Sequence, residues 1–389
     1  MFDIQGAQLR SAEQSGSLGY VIRGFEGMEQ MEKQEFQELC ITPAEVLRDT
    51  MRSMDASGRG IALVVSTEGV LLGTITDGDV RRAILDNLGL DSPVQLLLDR
   101  KKGTTASCPV TATIGTDAEE LRQLMTTRRL RHIPIVDENG KVVDLVLLDD
   151  LVPGITLPVR ALIMAGGFGK RLLPLTEDNP KPMLPVGGKP LLARTIEHLR
   201  HAGIRRISLA THYRSEKIRE HFGDGESFGV ELDYLYEQEP LGTGGALGLL
   251  PESRDRLLVM NGDVLTRVDF RAFLEYHESH GADATLAVRE YGVKVAYGVV
   301  ECDGPRVCAL REKPELRFFV NAGIYVLEPS ALEVIPRGEK FDMTDLIRWL
   351  MAADRVVASF PIIEYWMDIG QPADYEQALH DAALGGLEL

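Results

Sequence analysis

The chain has 389 residues, of which 44% are hydrophobic and 26% charged, and its formal net charge is −17 at pH 7. That length carries two or three domains with a sizeable core. The acidic balance opposes generic binding to nucleic acid or to an anionic membrane, so a phosphate ligand must be held by local cations against the overall field. No run of about 18 uncharged apolar residues is present to span a membrane. Residues 1–30 lack the basic start and apolar stretch of a secretory signal, and a cytoplasmic location is expected. The four cysteines, Cys40, Cys108, Cys302 and Cys308, show no metal-ligand spacing. Cys302 and Cys308 flank Asp303-Gly304-Pro305 and face each other across an expected hairpin, as ordinary thiols of a reducing compartment.

Residues 1–36 are rich in Gln, Glu and Gly with weak periodicity, and read as a poorly ordered extension in which Met28 or Met31 is an alternative start. From about residue 38 to 155 the chain repeats itself. An offset of 71 residues aligns Asp79 with Asp150, Met54 with Met125, Val65 with Val136 and Gly69 with Gly140. Each unit, 37–100 and 101–155, reads as helix, apolar strand, Gly-containing turn, second strand, then a helix opening at the aspartate. Ile61-Ala62-Leu63-Val64-Val65 answers to His132-Ile133-Pro134-Ile135-Val136. Units of this size each leave an apolar face uncovered, so they are expected to pack as a pair.

Gly73-Thr74-Ile75-Thr76-Asp77-Gly78-Asp79 and His132-Ile133-Pro134-Ile135-Val136-Asp137 resemble the signatures of a CBS-domain pair. The resemblance implies clefts that bind adenine nucleotides or related ligands, with an aspartate on the ribose hydroxyls and a threonine three residues earlier on phosphate. Thr76 and Asp79 match that pattern. Asp150 is kept in the second unit, but Leu147 stands in place of the threonine, so at most one complete site is expected. The other reading is a ligand-free module that drives homo-oligomer assembly, with both aspartates capping helices.

Residues 152–158 read as a linker, interrupted by Pro and Gly. Beyond it, strands alternate with amphipathic helices: Leu192, Ile196 and Leu199 share one helical face, and Ile207–Ala210 and Leu257–Met260 are short buried strands. This rhythm predicts an α/β domain over 156–389 with a largely parallel sheet covered on both sides. Its opening is the most informative stretch. The apolar run Leu162-Ile163-Met164-Ala165 ends in Gly166-Gly167-Phe168-Gly169, where bare backbone N–H groups can lie against phosphate oxygens. Arg171 follows from the loop, and Lys181 from the stiff turn Pro180-Lys181-Pro182. That is a polyphosphate cradle with two cations aimed into it.

This loop, Pro180-Lys181-Pro182-Met183-Leu184-Pro185, Pro240-Leu241-Gly242-Thr243-Gly244-Gly245-Ala246, Asn261-Gly262-Asp263, Glu312-Lys313-Pro314, Asn321-Ala322-Gly323-Ile324-Tyr325 and Trp366-Met367-Asp368-Ile369-Gly370 together resemble the sugar-1-phosphate nucleotidyltransferases. The resemblance spans residues 158–389 and implies a Rossmann-like mixed sheet of GT-A type. It implies attack by a sugar phosphate oxygen on the α-phosphorus of a nucleoside triphosphate, with loss of pyrophosphate. In that scheme Ala165, Gly166, Gly167, Gly169, Glu237, Gly242 and Thr243 contact the nucleotide. Arg171 suits the β- and γ-phosphates because its fork holds two oxygens, and Lys181 suits the α-phosphate. Asp263 and Asp368 are the carboxylate pair for Mg²⁺, which wants one or two carboxylates plus phosphate oxygens. Glu312, Lys313, Asn321 and Gly298 make the sugar-phosphate pocket.

The resemblance places Glu237 first in the base-reading loop Glu237-Gln238-Glu239-Pro240-Leu241-Gly242. A carboxylate only accepts hydrogen bonds, and guanine offers adjacent N1–H and N2–H donors, so GTP is favoured over UTP or dTTP. The resemblance implies a GDP-sugar product made from a hexose or hexosamine 1-phosphate. The joining of a CBS pair to this domain resembles guanylyltransferases of amino-sugar 1-phosphates, which implies such an acceptor. A catalytically idle nucleotide-sugar regulatory subunit is the reading from another class. The eight histidines, His212 included, show no ligand spacing, and no general base is needed because a sugar phosphate is already ionised. The β-helix of some relatives is not expected, nor is their acetyltransferase activity.

Overall fold

The computed structural model describes residues 33–384, apart from residues 87, 105–106, 153, 155 and 252–253. The expected extension, with Met28 and Met31, lies outside the described residues except for residues 33–36, which begin a helix. The chain forms two compact units that part between residues 155 and 156.

In the first unit, α1 (Lys33–Leu39) leads into β1 (Cys40–Ile41), α2 (Leu47–Ser57), β2 (Ile61–Val65), β3 (Leu71–Thr76) and α3 (Asp77–Leu85). After α4 (Gln95–Lys101) the pattern returns as β4 (Ala112–Thr113), α5 (Ala118–Arg128), β5 (His132–Val136), β6 (Val142–Leu147) and α6 (Leu148–Leu151). Each half has a three-stranded sheet, a parallel pair followed by an antiparallel hairpin. The repeat extends to the hydrogen bonds that join the halves. Leu71 N donates to Gly140 O at 3.0 Å and Val142 N to Gly69 O at 3.1 Å, and each donor and acceptor is the other's repeat equivalent. Both turn glycines have positive φ, +83° at Gly69 and +76° at Gly140, which excludes side chains with a Cβ at little strain.

Contrary to expectation, α3 and α6 begin at Asp77 and Leu148, two residues ahead of Asp79 and Asp150. Asp79 and Asp150 stand at the third helical position, from which a carboxylate reaches back to the N–H just ahead of the helix: Thr76 N at 2.8 Å and Leu147 N at 3.3 Å.

The second unit runs β7 (Val159–Met164), the small hairpin β8 (Pro185–Val186) and β9 (Lys189–Pro190), α7 (Leu191–His201), β10 (Arg206–Thr211), α8 (Ser215–Phe222) and β11 (Glu231–Tyr236). It continues with α9 (Gly242–Gly245), β12 (Arg256–Asn261), β13 (Val264–Thr266), α10 (Phe270–Ser279) and β14 (Ala284–Lys294). The hairpin β15 (Val299–Asp303) and β16 (Arg306–Arg311) precedes β17 (Glu315–Leu327), α11 (Met343–Ala352), β18 (Val357–Pro361), β19 (Trp366–Asp368) and α12 (Pro372–Ala383). Seven strands form the main sheet in the order β11-β10-β7-β12-β17-β14-β18. It is parallel except where β17 lies between β12 and β14.

Both faces of the sheet are covered, as a parallel sheet requires. Ala161 and Ile163 of β7 pack with Leu192, Ile196 and Leu199 of α7 and with Phe270 and Phe273 of α10. Leu162, on the opposite face, packs with Met343, Leu346 and Leu350 of α11. From β7 the chain steps outward through β10 to β11, then returns to β12 on the other side of β7. The carboxyl ends of β7 and β12 therefore border the crevice where open α/β sheets hold their ligands.

The expected hairpin at Cys302 and Cys308 forms, but the two thiols are not a cross-strand pair. Cys302 pairs with Val307, and Cys308 is the extra residue at a bulge. Both are free and exposed. No helix among the described residues is long and apolar enough to cross a membrane.

Candidate active site

The glycine loop leaves β7 at the crevice. Ala165 N still belongs to the sheet, donating to Ala210 O at 2.8 Å, and its side chain is buried in the core. Among the described residues, the N–H groups of Gly166, Gly167, Phe168 and Gly169 donate to no acceptor in the protein. This exposed to half-buried stretch leaves a row of backbone donors open to water or an anion, and Ala165 anchors it to the sheet. Gly169 turns the chain at φ +61°, and Thr176 closes over it, donating from Oγ1 to Gly169 O at 2.8 Å.

Four charged groups expected to converge do so, although 197 residues separate the first from the last. Lys181 Nζ sits 2.6 Å from Asp263 Oδ2 and its side chain is only 10% exposed. Val264 pairs with Asp368 across β13 and β19, and Ile369 N donates to Asp263 O at 3.0 Å. Arg171 reaches the same place: a Cβ placed on Gly370 would lie 3.7 Å from Arg171 Nη1 and 3.8 Å from Asp368 Oδ1.

What gathers them is apolar. Leu172, Leu184, Leu265 and Ile369, each within three residues of one of the charged four, share one buried cluster with Val186, Tyr375 and Ala378. Burying each such Leu or Ile side chain is worth about 1.5–3 kcal/mol. Tyr375 of α12 ties the cluster down by donating to Pro185 O at 2.7 Å.

The electrostatics of the pair follow from this crowding. Burial and the neighbouring charge of Asp263 push the Asp368 carboxyl above its ordinary value, against the pull of Lys181 and Arg171. No hydrogen bond or ion pair among the described residues reaches the Asp368 carboxylate or Asp263 Oδ1. Two like charges held together with open lone pairs fit a divalent cation. No set of three or more His, Cys, Asp or Glu side chains suited to a metal gathers among the described residues. A donor set of two carboxylates suits Mg²⁺, which completes its octahedron with phosphate oxygens and water.

Glu237 follows β11 and is buried, 7% exposed, with its carboxylate turned to the glycine loop. A Cβ on Gly166 would stand 2.8 Å from Glu237 Oε2 and 3.3 Å from His212 Cβ, so a larger residue there would push the carboxylate aside. No hydrogen bond among the described residues reaches that carboxylate, and burial raises its pKa while His212 opposes the rise. Gly242 and Thr243 are held by the start of α11. Thr243 N and Oγ1 donate to Asp342 Oδ1 at 3.0 and 3.3 Å, and Oγ1 accepts from Met343 N at 3.0 Å. A Cβ on Gly242 would lie 2.5 Å from Asp342 Oδ1. These two residues fasten the loop that carries Glu237 to the start of α11.

The expected sugar-phosphate residues fall in two groups. Gly298 and Glu312 meet at the root of the β15–β16 hairpin, where a Cβ on Gly298 would lie 3.1 Å from Glu312 Oε2. Lys313 beside them has φ +43°, a left-handed conformation uncommon for a side chain with a Cβ. Asn321 lies on β17, its Nδ2 donating to Tyr325 Oη at 2.7 Å and its Oδ1 accepting from Gly323 N at 3.1 Å. No hydrogen bond or ion pair among the described residues joins these four to Arg171, Lys181, Asp263 or Asp368.

In the first unit, Asp79 is engaged on several sides. It accepts from Thr76 N and Oγ1 at 2.8 Å each, and pairs with Arg82 at 2.7 Å and Lys101 at 2.5 Å. Burial works to raise its pKa, but Lys101 and Thr76 hold it below the ordinary range. Asp150 caps α6 and lies 3.9 Å from Arg59 Nη1. The sequence reading missed Lys101 and Arg82, which carry no repeat-equivalent signal, and gave His212 no role, although it lies just past the carboxyl end of a buried strand.

Fold and site together define the class: an α/β domain of nucleotidyltransferase type preceded by a paired CBS module. The chain belongs to the Nucleotidyl transferase family, which it matches over residues 160–384, and the CBS domain is matched twice, over 36–86 and 106–155. A mannose-1-phosphate guanylyltransferase of Mycobacterium tuberculosis is 35% identical over 237 residues, covering 59% of this chain and 66% of that protein. A mannose-1-phosphate guanyltransferase of Schizosaccharomyces pombe is 38% identical over 232 residues, covering 56% of this chain and 62% of that protein. The crystal structure of HddC from Yersinia pseudotuberculosis aligns with a TM-score of 0.46 at 31% identity, covering 57% of this chain and 98% of that one. The chain thus spans just under two thirds of the length of the curated relatives it matches.

Proposed function

We propose that residues 156–389 transfer a guanylyl group from GTP to a hexose or hexosamine 1-phosphate, releasing pyrophosphate and a GDP-sugar. The observation that carries this reading is the meeting of Arg171, Lys181, Asp263 and Asp368 beside the bare N–H groups of residues 166–169. The chemistry needs little else. The nucleophile is already anionic, so catalysis is positioning and charge neutralisation around the reacting phosphates. Arg171 would hold the β- and γ-phosphates and Lys181 the α-phosphate, while Asp263 and Asp368 would hold Mg²⁺. When bound, that ion supplies charge neutralisation at phosphate oxygens. Glu237, whose carboxylate meets no donor among the described residues, would accept from guanine N1–H and N2–H. Glu312, Lys313, Asn321 and Gly298 would receive the sugar phosphate. The guanylyltransferase names of the relatives above support the base, and they make mannose 1-phosphate the first acceptor to try. Cytoplasmic GTP and Mg²⁺ suit this activity.

Pyrophosphate release, measured with GTP, UTP, dTTP and ATP against a panel of sugar 1-phosphates and Mg²⁺, tests the reading. GTP is expected to give the highest kcat/KM. A preference for UTP or dTTP would keep the chemistry and remove the base assignment. No release with any combination would favour an idle sensor.

For the CBS pair, residues 37–100 and 101–155, we propose assembly of a homo-oligomer rather than adenine-nucleotide binding. A ribose at Asp79 would have to displace Arg82 and the largely buried Lys101. No adenine nucleotide is expected to move the melting curve of this unit, and a clear upward shift would reinstate the ligand. Asp79→Ala is expected to destabilise the unit by about 3 kcal/mol, because it leaves the largely buried Lys101 ammonium with its bond to Thr74 O but no counter-charge, and removes the capping-box carboxylate. The folded pKa of Asp79 is depressed, so this contribution is present above the ordinary value of 3.8 and disappears as pH falls through the folded value. Chemical denaturation of both forms at pH 7 and at pH 2–3 checks the magnitude and its sign.

A further inference from the structure

The main-chain ladder between β10 and β11 has a gap at its end. The ladder is parallel and runs in register from Arg206↔Glu231 to Thr211↔Tyr236, and Glu237 N still donates to Thr211 O at 3.0 Å. The next bond of such a ladder would run from Tyr213 N to Glu237 O. The chain instead turns away, with Arg214 at φ +52°. The imidazole of His212 fills the place: its Nδ1 lies 2.7 Å from Glu237 O. A carbonyl only accepts, so Nδ1 carries the proton.

That ring is fixed from several sides. Phe168 of the glycine loop meets it edge-on at 5.3 Å between centroids, and Tyr236 lies at 6.5 Å. His212 Cβ would be 3.3 Å from a Cβ on Gly166, the position that also faces the Glu237 carboxylate at 2.8 Å. One glycine is thus walled by both residues. The glycine loop, the end of β10 and the end of β11 are joined through a single imidazole.

We infer that His212 is a positioning residue for base selection: by donating from Nδ1 to the Glu237 carbonyl it holds the Glu237 carboxylate at the glycine loop, where it discriminates purines by their N1–H and N2–H donors. The inference rests on the guanylyl reading above. Without the imidazole, the residue after β11 has its backbone amide tied and its carbonyl loose, and the carboxylate is free to swing toward water. His212 touches no reacting atom, so its loss weakens nucleotide binding and leaves the chemical step alone.

The experiment compares GTP with inosine triphosphate, which lacks the 2-amino donor, in the full chain and in His212→Phe and His212→Asn. Phe keeps the ring and its contact with Phe168 but cannot donate; Asn can donate to the same carbonyl. His212→Phe is expected to raise KM for GTP about tenfold, with kcat within twofold, and to bring the GTP-to-inosine triphosphate ratio of kcat/KM close to one. His212→Asn is expected to recover most of that ratio. A folded His212→Phe protein with wild-type KM and wild-type ratio overturns the inference. Should the Phe variant not fold, ¹⁵N NMR of the unaltered protein decides: a ring protonated at Nδ1 with GTP bound is required, and one protonated at Nε2 overturns it. An unaltered enzyme that prefers UTP or dTTP removes the guanylyl reading itself, whereas a GTP-selective enzyme indifferent to His212 removes only this inference.

Discussion

Asp263→Asn is expected to lower kcat/KM by about 10²–10³-fold, the range seen when one preorganised electrostatic partner of a transition state is removed. The substitution keeps shape and leaves an amide oxygen that still accepts from Lys181 Nζ, now 2.6 Å from the carboxylate. It also ends the repulsion that helps to raise the Asp368 carboxyl. Loss of the Lys181 attraction and relief of the Asp368 repulsion oppose each other, so the net stability change is expected to stay within about 1 kcal/mol, or about 2–4 °C in Tm for a unit of this size. Activity and stability therefore part company. A pyrophosphate-release assay alongside a melting curve checks both, and a near-normal rate would take Asp263 out of the site.

How much of this was legible in the chain depends on the range of the interaction. The repeat was, because its offset of 71 is a property of sequence that recurs in the reciprocal Leu71–Gly140 and Val142–Gly69 bonds. The glycine loop was, because an apolar run ending in small residues is local. The meeting of Asp263 with Asp368 could be expected only by resemblance. Nothing in the spacing of the two residues implies it, and what brings them together is a cluster whose members, Leu172, Leu265 and Ile369, are unremarkable apolar residues in the sequence. The engagement of Asp79 by Lys101 was hidden for a related reason: helix α4 lies between the two halves of the repeat and has no counterpart to compare with. Thr243 adds a contact that the sequence did not show: beside the nucleotide contact its block implies, its hydroxyl closes a bond with Asp342, nearly a hundred residues on.

The sharpest test of the electrostatic design is Lys181→Met, whose effect on metal affinity should be opposite in sign to that of Asp263→Asn. Lys181 neutralises the carboxylate pair before any substrate arrives, and it is among the charges that restrain the rise of the Asp368 pKa. Methionine fills the volume of the buried stem without the charge. The variant leaves Asp263 and Asp368 repelling each other, so a divalent cation is expected to bind more tightly and to recover stability that the substitution loses. Asp263→Asn removes a proposed ligand and is expected to bind the cation more weakly. Both are nevertheless expected to lose turnover, Lys181→Met by about 10²–10³-fold in kcat, because the ammonium proposed for the α-phosphate would act on charge that develops in the transition state. A charge removed about 4 Å from another is worth up to about 4 kcal/mol at an effective dielectric of 20, ample for a measurable shift in affinity. Calorimetric titration of Mg²⁺ or Mn²⁺ with a non-hydrolysable GTP analogue present reads the sign directly. If Lys181→Met weakened metal binding as Asp263→Asn should, the lysine would be a support for the carboxylates and not a cation for the substrate.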